Sequence, residues 1–204
     1  MDVEFRRTGE RRYAVTIHRD GLQALEFGGP GYDRWMPHDL QHLIVESELG
    51  LTRGIFGYMA AGGHAGARTR DDDPRSAKRR RAKSAKRDAR RLRDGERADA
   101  DASERAAYVC WYEWLRRSTD LERRRRAATM AETAAHMLGT MPEPERRALS
   151  DEAIARICSR MDELSACWSS LAIGDAFTVA WTVRRARTPS LTSAVLRYPR
   201  LLRG

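Results

Sequence analysis

The sequence predicts an α+β fold, and three observations carry that prediction. Apolar and polar residues alternate along the first 27 residues and again after Gly174, as they do in half-buried strands. Between those stretches apolar residues recur at three and four positions, the period of amphipathic helices. With 204 residues, 41% of them hydrophobic, the chain is long enough for one ordinary core.

The strands come first. Val3 and Phe5, then Tyr13, Val15 and Ile17, are spaced two apart, and Thr8-Gly9-Glu10 and Asp20-Gly21 supply turns. Three antiparallel strands are expected, roughly over 2–7, 11–18 and 22–27, with Gly28-Gly29-Pro30-Gly31 ending the sheet. Phe177, Val179, Trp181 and Val183 alternate with Thr178, Ala180 and Thr182, which adds a strand near 176–183. This strand closes the N-terminal sheet and brings both halves of the chain into one core.

Three or four helices cover that sheet. A helix starting near Pro37 keeps proline where it costs no hydrogen bond, Asp39 complements its dipole, and Gly50 stops it. Leu40, Leu43, Ile44, Ser47 and Leu51 form its core-facing stripe. Ile55, Phe56 and Met59 pack a short helix over 54–61. From Ser103, the residues Val109, Cys110, Trp111, Trp114 and Leu115 give an aromatic face. Thr119-Asp120-Leu121-Glu122 fits a capping box, although one continuous helix to Met137 fits equally. Gly139, Pro142 and Pro144 mark a break, after which Ser150 caps a helix carrying Ile154, Ile157, Met161, Leu164, Cys167 and Trp168. The four tryptophans 111, 114, 168 and 181 fall at core spacing and are read as core.

The net charge of +9 is concentrated in two places. Residues 68–97 carry 14 basic and six acidic side chains, and 184–204 carry six basic and none acidic. These segments hold +8 and +6, so the other 153 residues carry −5. Between Arg75 and Arg93 the one large aliphatic residue is Leu92, too little apolar surface to offset the entropy of ordering. The expected organisation is therefore one α+β domain over 1–62 and 101–183, a disordered Arg-rich insertion over 63–100, and a flexible basic tail over 184–204.

Several function classes drop out. Cys110, Cys158 and Cys167 are odd in number and form no CxxC, so a disulfide framework or thiolate zinc site is not expected, and the thiols read as buried. There is no P-loop, dinucleotide fingerprint or nucleophile elbow. No apolar run approaches the ~18 residues of a membrane span, and charges stand where a secretory h-region would lie, so a cytoplasmic protein is expected.

Chemistry concentrates in the helix after Pro37. His38, His42 and Glu46 lie at i, i+4 and i+8, and imidazoles four apart on a helix can share one metal ion. Glu46 drifts about 40° from strict register at ~3.6 residues per turn, and completes a two-His, one-carboxylate set with a favourable rotamer. Iron(II), manganese or zinc suits these ligands. Asp39 serves the dipole or accepts a hydrogen bond from a ligand. The plainer alternative makes His42 and Glu46 a helical pair on a solvated face. Glu132 and His136, also four apart, would form an interhelical site if their helix faced the first.

The run MPHDLQHLIVESELGLTRGIFG, residues 36–57, resembles a segment of an uncharacterised bacterial protein family, a likeness that implies no activity. HDLQH, residues 38–42, resembles the HDxxH metal signature of a ubiquinone-biosynthesis accessory family. In that signature a Glu follows twelve positions after the second His, where this chain has Gly54.

Three functional classes follow. Because no complete catalytic set can be written, the leading expectation is a non-catalytic α+β domain and not an enzyme. The first alternative is a metal-binding protein or metal-dependent enzyme using the His38, His42 and Glu46 face. The second is a nucleic-acid accessory protein that binds non-specifically through residues 68–97, since clustered positive charge attracts a polyanion with salt-sensitive affinity.

Overall fold

The computed structural model describes residues 1–28, 33–65, 67–69 and 97–182 of the chain. Strand β1 (Asp2–Gly9) pairs with β2 (Arg12–His18) in an antiparallel hairpin that sets Phe5 opposite Val15 and Val3 opposite Ile17. β3 (Leu25–Phe27) pairs with β2, and β4 (Arg68–Thr69) pairs with β3. β5 (Ala176–Ala180) joins the other side of β1, giving the antiparallel order β4-β3-β2-β1-β5. Alternation decides the faces: Val3, Phe5, Val15, Ile17, Phe177 and Val179 are all buried on one side. Phe5 and Phe177 stack across the β1–β5 pair with ring centroids 5.8 Å apart.

Seven helices appear among the described residues. α1 (His38–Leu49) starts after Pro37 and ends at Gly50, whose φ of 70° is the left-handed cap that glycine adopts without a Cβ penalty. α2 (Ile55–Ala60) follows at once. α3 (Arg97–Arg117) is the longest, and it ends before the cap of α4 (Leu121–Ala128). That cap is Asp120 and not Thr119: its carboxylate accepts from the Glu122 and Arg123 amides. α5 (Ala131–Thr140), α6 (Glu143–Ala148) and α7 (Asp151–Ser169) complete the chain of helices, with Ser150 capping α7 through the Ala153 amide.

One expectation needs correction. Among the described residues the helices number seven, because Asp120 restarts the chain after α3 and the stretch read as a break is itself helical. Gly139 lies inside α5, and Pro142 and Pro144 begin α6, where a missing N–H costs nothing. β4 and the first turn of α3 fall within the bounds given to the insertion, 63–100. Residues 66 and 70–96 of that insertion, and the basic tail, lie outside the described residues.

Buried side chains form one cluster that runs from the sheet to the helices. Trp168 of α7 meets Tyr13 of β2 edge-on, with centroids 6.4 Å apart. Trp35 contacts Trp111 and Trp114, and the Trp114 indole donates to Asp162 at 2.7 Å. Arg123 lies over the Trp114 ring at 4.1 Å. All four tryptophans read as core are buried, as are Cys110 and Cys158. α1 packs between α3 and α7, so its polar side is covered as well as its apolar one. Among the described residues no helix is long and apolar enough to cross a membrane.

Candidate metal centre

The burial of α1 changes the meaning of its polar residues. His42 and Glu46 are both 0% exposed, which removes the solvated-face alternative. Each must find partners inside the protein, since a buried polar group without them costs about 1–3 kcal/mol.

Glu46 finds its partners at α2. Its Oε1 accepts from the Ile55 amide at 2.7 Å, and its Oε2 from the Phe56 and Gly57 amides at 2.8 and 3.2 Å. The residue preceding α2 is Gly54, which has no side chain to cap it, so a carboxylate from α1 does so instead. The approach is close: a Cβ on Gly54 would stand 2.3 Å from the Glu46 carboxyl carbon. Burial pushes the Glu46 carboxyl up, and the Ser103 hydroxyl, the Gly57 and Ile55 amides and the nearby His42 draw it back.

Ser103 links this anchor to the histidines. Its Oγ donates to Glu46 Oε1 at 2.8 Å and lies 3.0 Å from His42 Nδ1. Four donors, three amides and the Ser103 hydroxyl, are directed at the two oxygens of Glu46. Ser103 then spends its proton on Glu46 and accepts from His42, so Nδ1 carries the imidazole proton. In the neutral imidazole of that tautomer, the other ring nitrogen, Nε2, is the one with a lone pair. It is buried and has no hydrogen-bond partner.

That lone pair faces His38 and Glu104. The two imidazoles, one turn apart on α1, lie edge to face with centroids 4.5 Å apart. Glu104 comes from α3, and its Oε2 stands 3.4 Å from His42 Nε2, too misaligned for a hydrogen bond. Donor atoms of His38, His42 and Glu104 all lie within 4.8 Å of one another. His38 and Glu104 are exposed, whereas His42 is buried. Burial, and then His42, lowers the His38 pKa against the opposing charges of Glu104 and Asp39, which favours the neutral imidazole that metals bind. Contact with the His42 imidazole holds the Glu104 carboxyl down.

The structure thus joins His38 and His42 with Glu104 and directs Glu46 to α2. Glu132 and His136 are exposed on α5 and belong to no such group among the described residues. Asp39 accepts from the Tyr13 hydroxyl at 2.5 Å and ties the start of α1 to the sheet. Burial and the Asp39 charge together raise the Tyr13 phenol. Glu104 escaped sequence reasoning because it lies beyond the Arg-rich segment. One signal for its neighbourhood was present: Ser103 sits on the Ala106, Ala107, Cys110 and Trp114 stripe, a hydroxyl at a core position.

A cavity of about 530 Å³ opens beside the group, with His38, Gln41 and Glu104 in its lining. No family model, curated protein or solved structure matches this chain. The chemistry of the group therefore rests on its own geometry.

Proposed function

We propose that this chain binds one divalent transition-metal ion through His38, His42 and Glu104. The observation that carries the reading is the buried, unpartnered Nε2 of His42, turned toward a second imidazole and a carboxylate. Nε2 and the Glu104 carboxylate stand 3.4 Å apart, and a cation held between them would attract both. The relay behind His42 supports the same reading. Metal-bound histidines characteristically donate their other N–H to a fixed acceptor, which sets the tautomer and raises ligand basicity.

Two imidazoles and one carboxylate suit iron(II), manganese or zinc. Three protein ligands leave coordination positions open, and the adjoining cavity gives a small molecule access to them. A bound ion would supply Lewis acidity at that opening. This favours a metal-dependent protein over the non-catalytic domain that the sequence put first.

Elemental analysis of tag-free protein purified without chelator tests the reading. Near-stoichiometric metal in the wild type, lost in His42→Ala and in Glu104→Ala, is the expected result. Metal-free protein that also fails to take up added iron, manganese or zinc would retire it.

A further inference from the structure

We propose that the cavity beside His38 and Glu104 binds an uncharged, flat organic molecule through an edge that carries one hydrogen-bond donor beside one acceptor, as in a carboxamide or a lactam. The side-chain amide of Gln41 would pair with that edge. Recognition by Gln41 does not depend on the metal ion, so this inference goes beyond the metal reading and can fail separately from it.

The first observation is Gln41 itself. It lies on α1 between the two histidines, is only 5% exposed, and lines the cavity of about 530 Å³. Its side-chain amide makes no hydrogen bond with the described residues, and neither of its polar atoms is sealed away from the open space. The buried polar side chains beside it, Glu46 and Ser103, are both paired. An amide left unpaired in a buried position is costly, and a ligand that offers the complementary donor and acceptor removes that cost. The demand is the same whichever end of the amide is the oxygen.

The second observation is the wall and its charge. Half-buried Tyr108 and Met137 and buried Trp111 and Met130 line the same space, two rings and two thioethers that suit a flat ring. Gln41 follows His38 on α1, and Tyr108 follows Glu104 on α3, so each helix sets a wall residue one turn from a candidate metal ligand. The ionic groups at the rim leave no surplus: Arg126 stands against Asp33, and Arg11 has further partners. The inner end is negative through Glu104 without an ion and positive with a divalent one, so neither sign of ligand charge suits both states. A volume of about 530 Å³ falls in the range of small-molecule sites.

The test is calorimetric titration of the full chain, first stripped of metal and then offered zinc, with benzamide, 2-pyridone, acetophenone and benzoate. Saturable binding of benzamide or 2-pyridone is expected in both states, and whichever binds distinguishes carboxamide from lactam. Acetophenone, which keeps the acceptor and lacks the donor, should bind at least about ten-fold more weakly, as should benzoate to the stripped chain. Gln41→Leu keeps the bulk and removes no internal hydrogen bond, so it should weaken amide binding at least ten-fold with zinc uptake unchanged and urea stability not lowered. No saturable binding of either amide, equal binding of acetophenone, binding confined to the zinc-loaded chain, or a Gln41→Leu variant that binds as before or is destabilised would overturn the proposal. If the chain takes up no zinc, the metal reading falls, and the titration of the stripped chain still decides this one.

Discussion

Ser103 Oγ stands between His42 Nδ1 at 3.0 Å and Glu46 Oε1 at 2.8 Å, so one hydroxyl joins a histidine of α1 to the carboxylate that caps α2. The three side chains lie on two helices separated by the Arg-rich segment, and all are buried. Ser103→Ala should leave the Nδ1 proton without an acceptor and Glu46 short of one donor. A ten- to hundred-fold loss of metal affinity is expected, together with about 1–3 kcal/mol of stability. Chelator competition and urea unfolding read the two effects separately.

Glu46 and Glu104 should respond oppositely to the same change. Glu104→Gln alters a side chain that is 57% exposed, so stability should stay within about 0.5 kcal/mol while metal binding is lost. Glu46→Gln presents an amide N–H₂ to a site filled with donors, and should cost about 1–3 kcal/mol in urea unfolding. Equal effects on stability would contradict the division of labour between anchor and ligand.

Gly54→Ala isolates the close approach of α1 to α2. Its Cβ would meet both carboxylate oxygens of Glu46, at 2.3 and 2.7 Å, so the carboxylate or the turn must move. About 1–3 kcal/mol of destabilisation is expected. Gly139→Ala serves as the comparison: it lies on exposed helix with open space around it, and should stabilise by about 0.5–1 kcal/mol. Thermal unfolding of the two variants should shift in opposite directions.

The cysteines make a pH-dependent prediction. Burial pushes the Cys158 thiol up to about 11, and burial followed by the neighbouring Cys158 raises Cys110 further. A raised thiol pKa keeps the group neutral until the pH approaches it. Roughly one Cys158 in a thousand is thiolate near pH 8. Iodoacetamide on native protein should therefore label half-buried Cys167 first, and Cys158 should gain reactivity only as the pH rises toward 11. Mass spectrometry of timed samples checks the order.

The parts of this molecule that were legible in the sequence are those with local causes. Period-two alternation placed β1, β2 and β5, Pro37 and Gly50 bounded α1, and the four-residue spacing of His38 and His42 put two residues of the candidate group on one helix face. What was not legible depends on packing between distant segments. Glu46 was expected as a ligand because it lies two turns along the same helix, but the unsatisfied amides of α2 hold it. Nothing local in the sequence says that those amides lie against α1. Glu104 comes to the histidines because α3 packs on α1, a consequence of Ala106, Val109 and Cys110 entering the same core. Helical breaks were misplaced where proline acts as a starter and not as a stop, as in α6.

The central claim is that His42 Nε2 is a metal ligand. Calorimetric titration of the metal-stripped full chain with zinc(II) near neutral pH, beside His42→Ala, tests it most directly. The account predicts saturation at about one equivalent in the wild type and no saturable site in the variant, because the buried His42 imidazole is one of only three ligands in the proposed set. Absence of saturable uptake by the wild type, or an unchanged isotherm in His42→Ala, would contradict it.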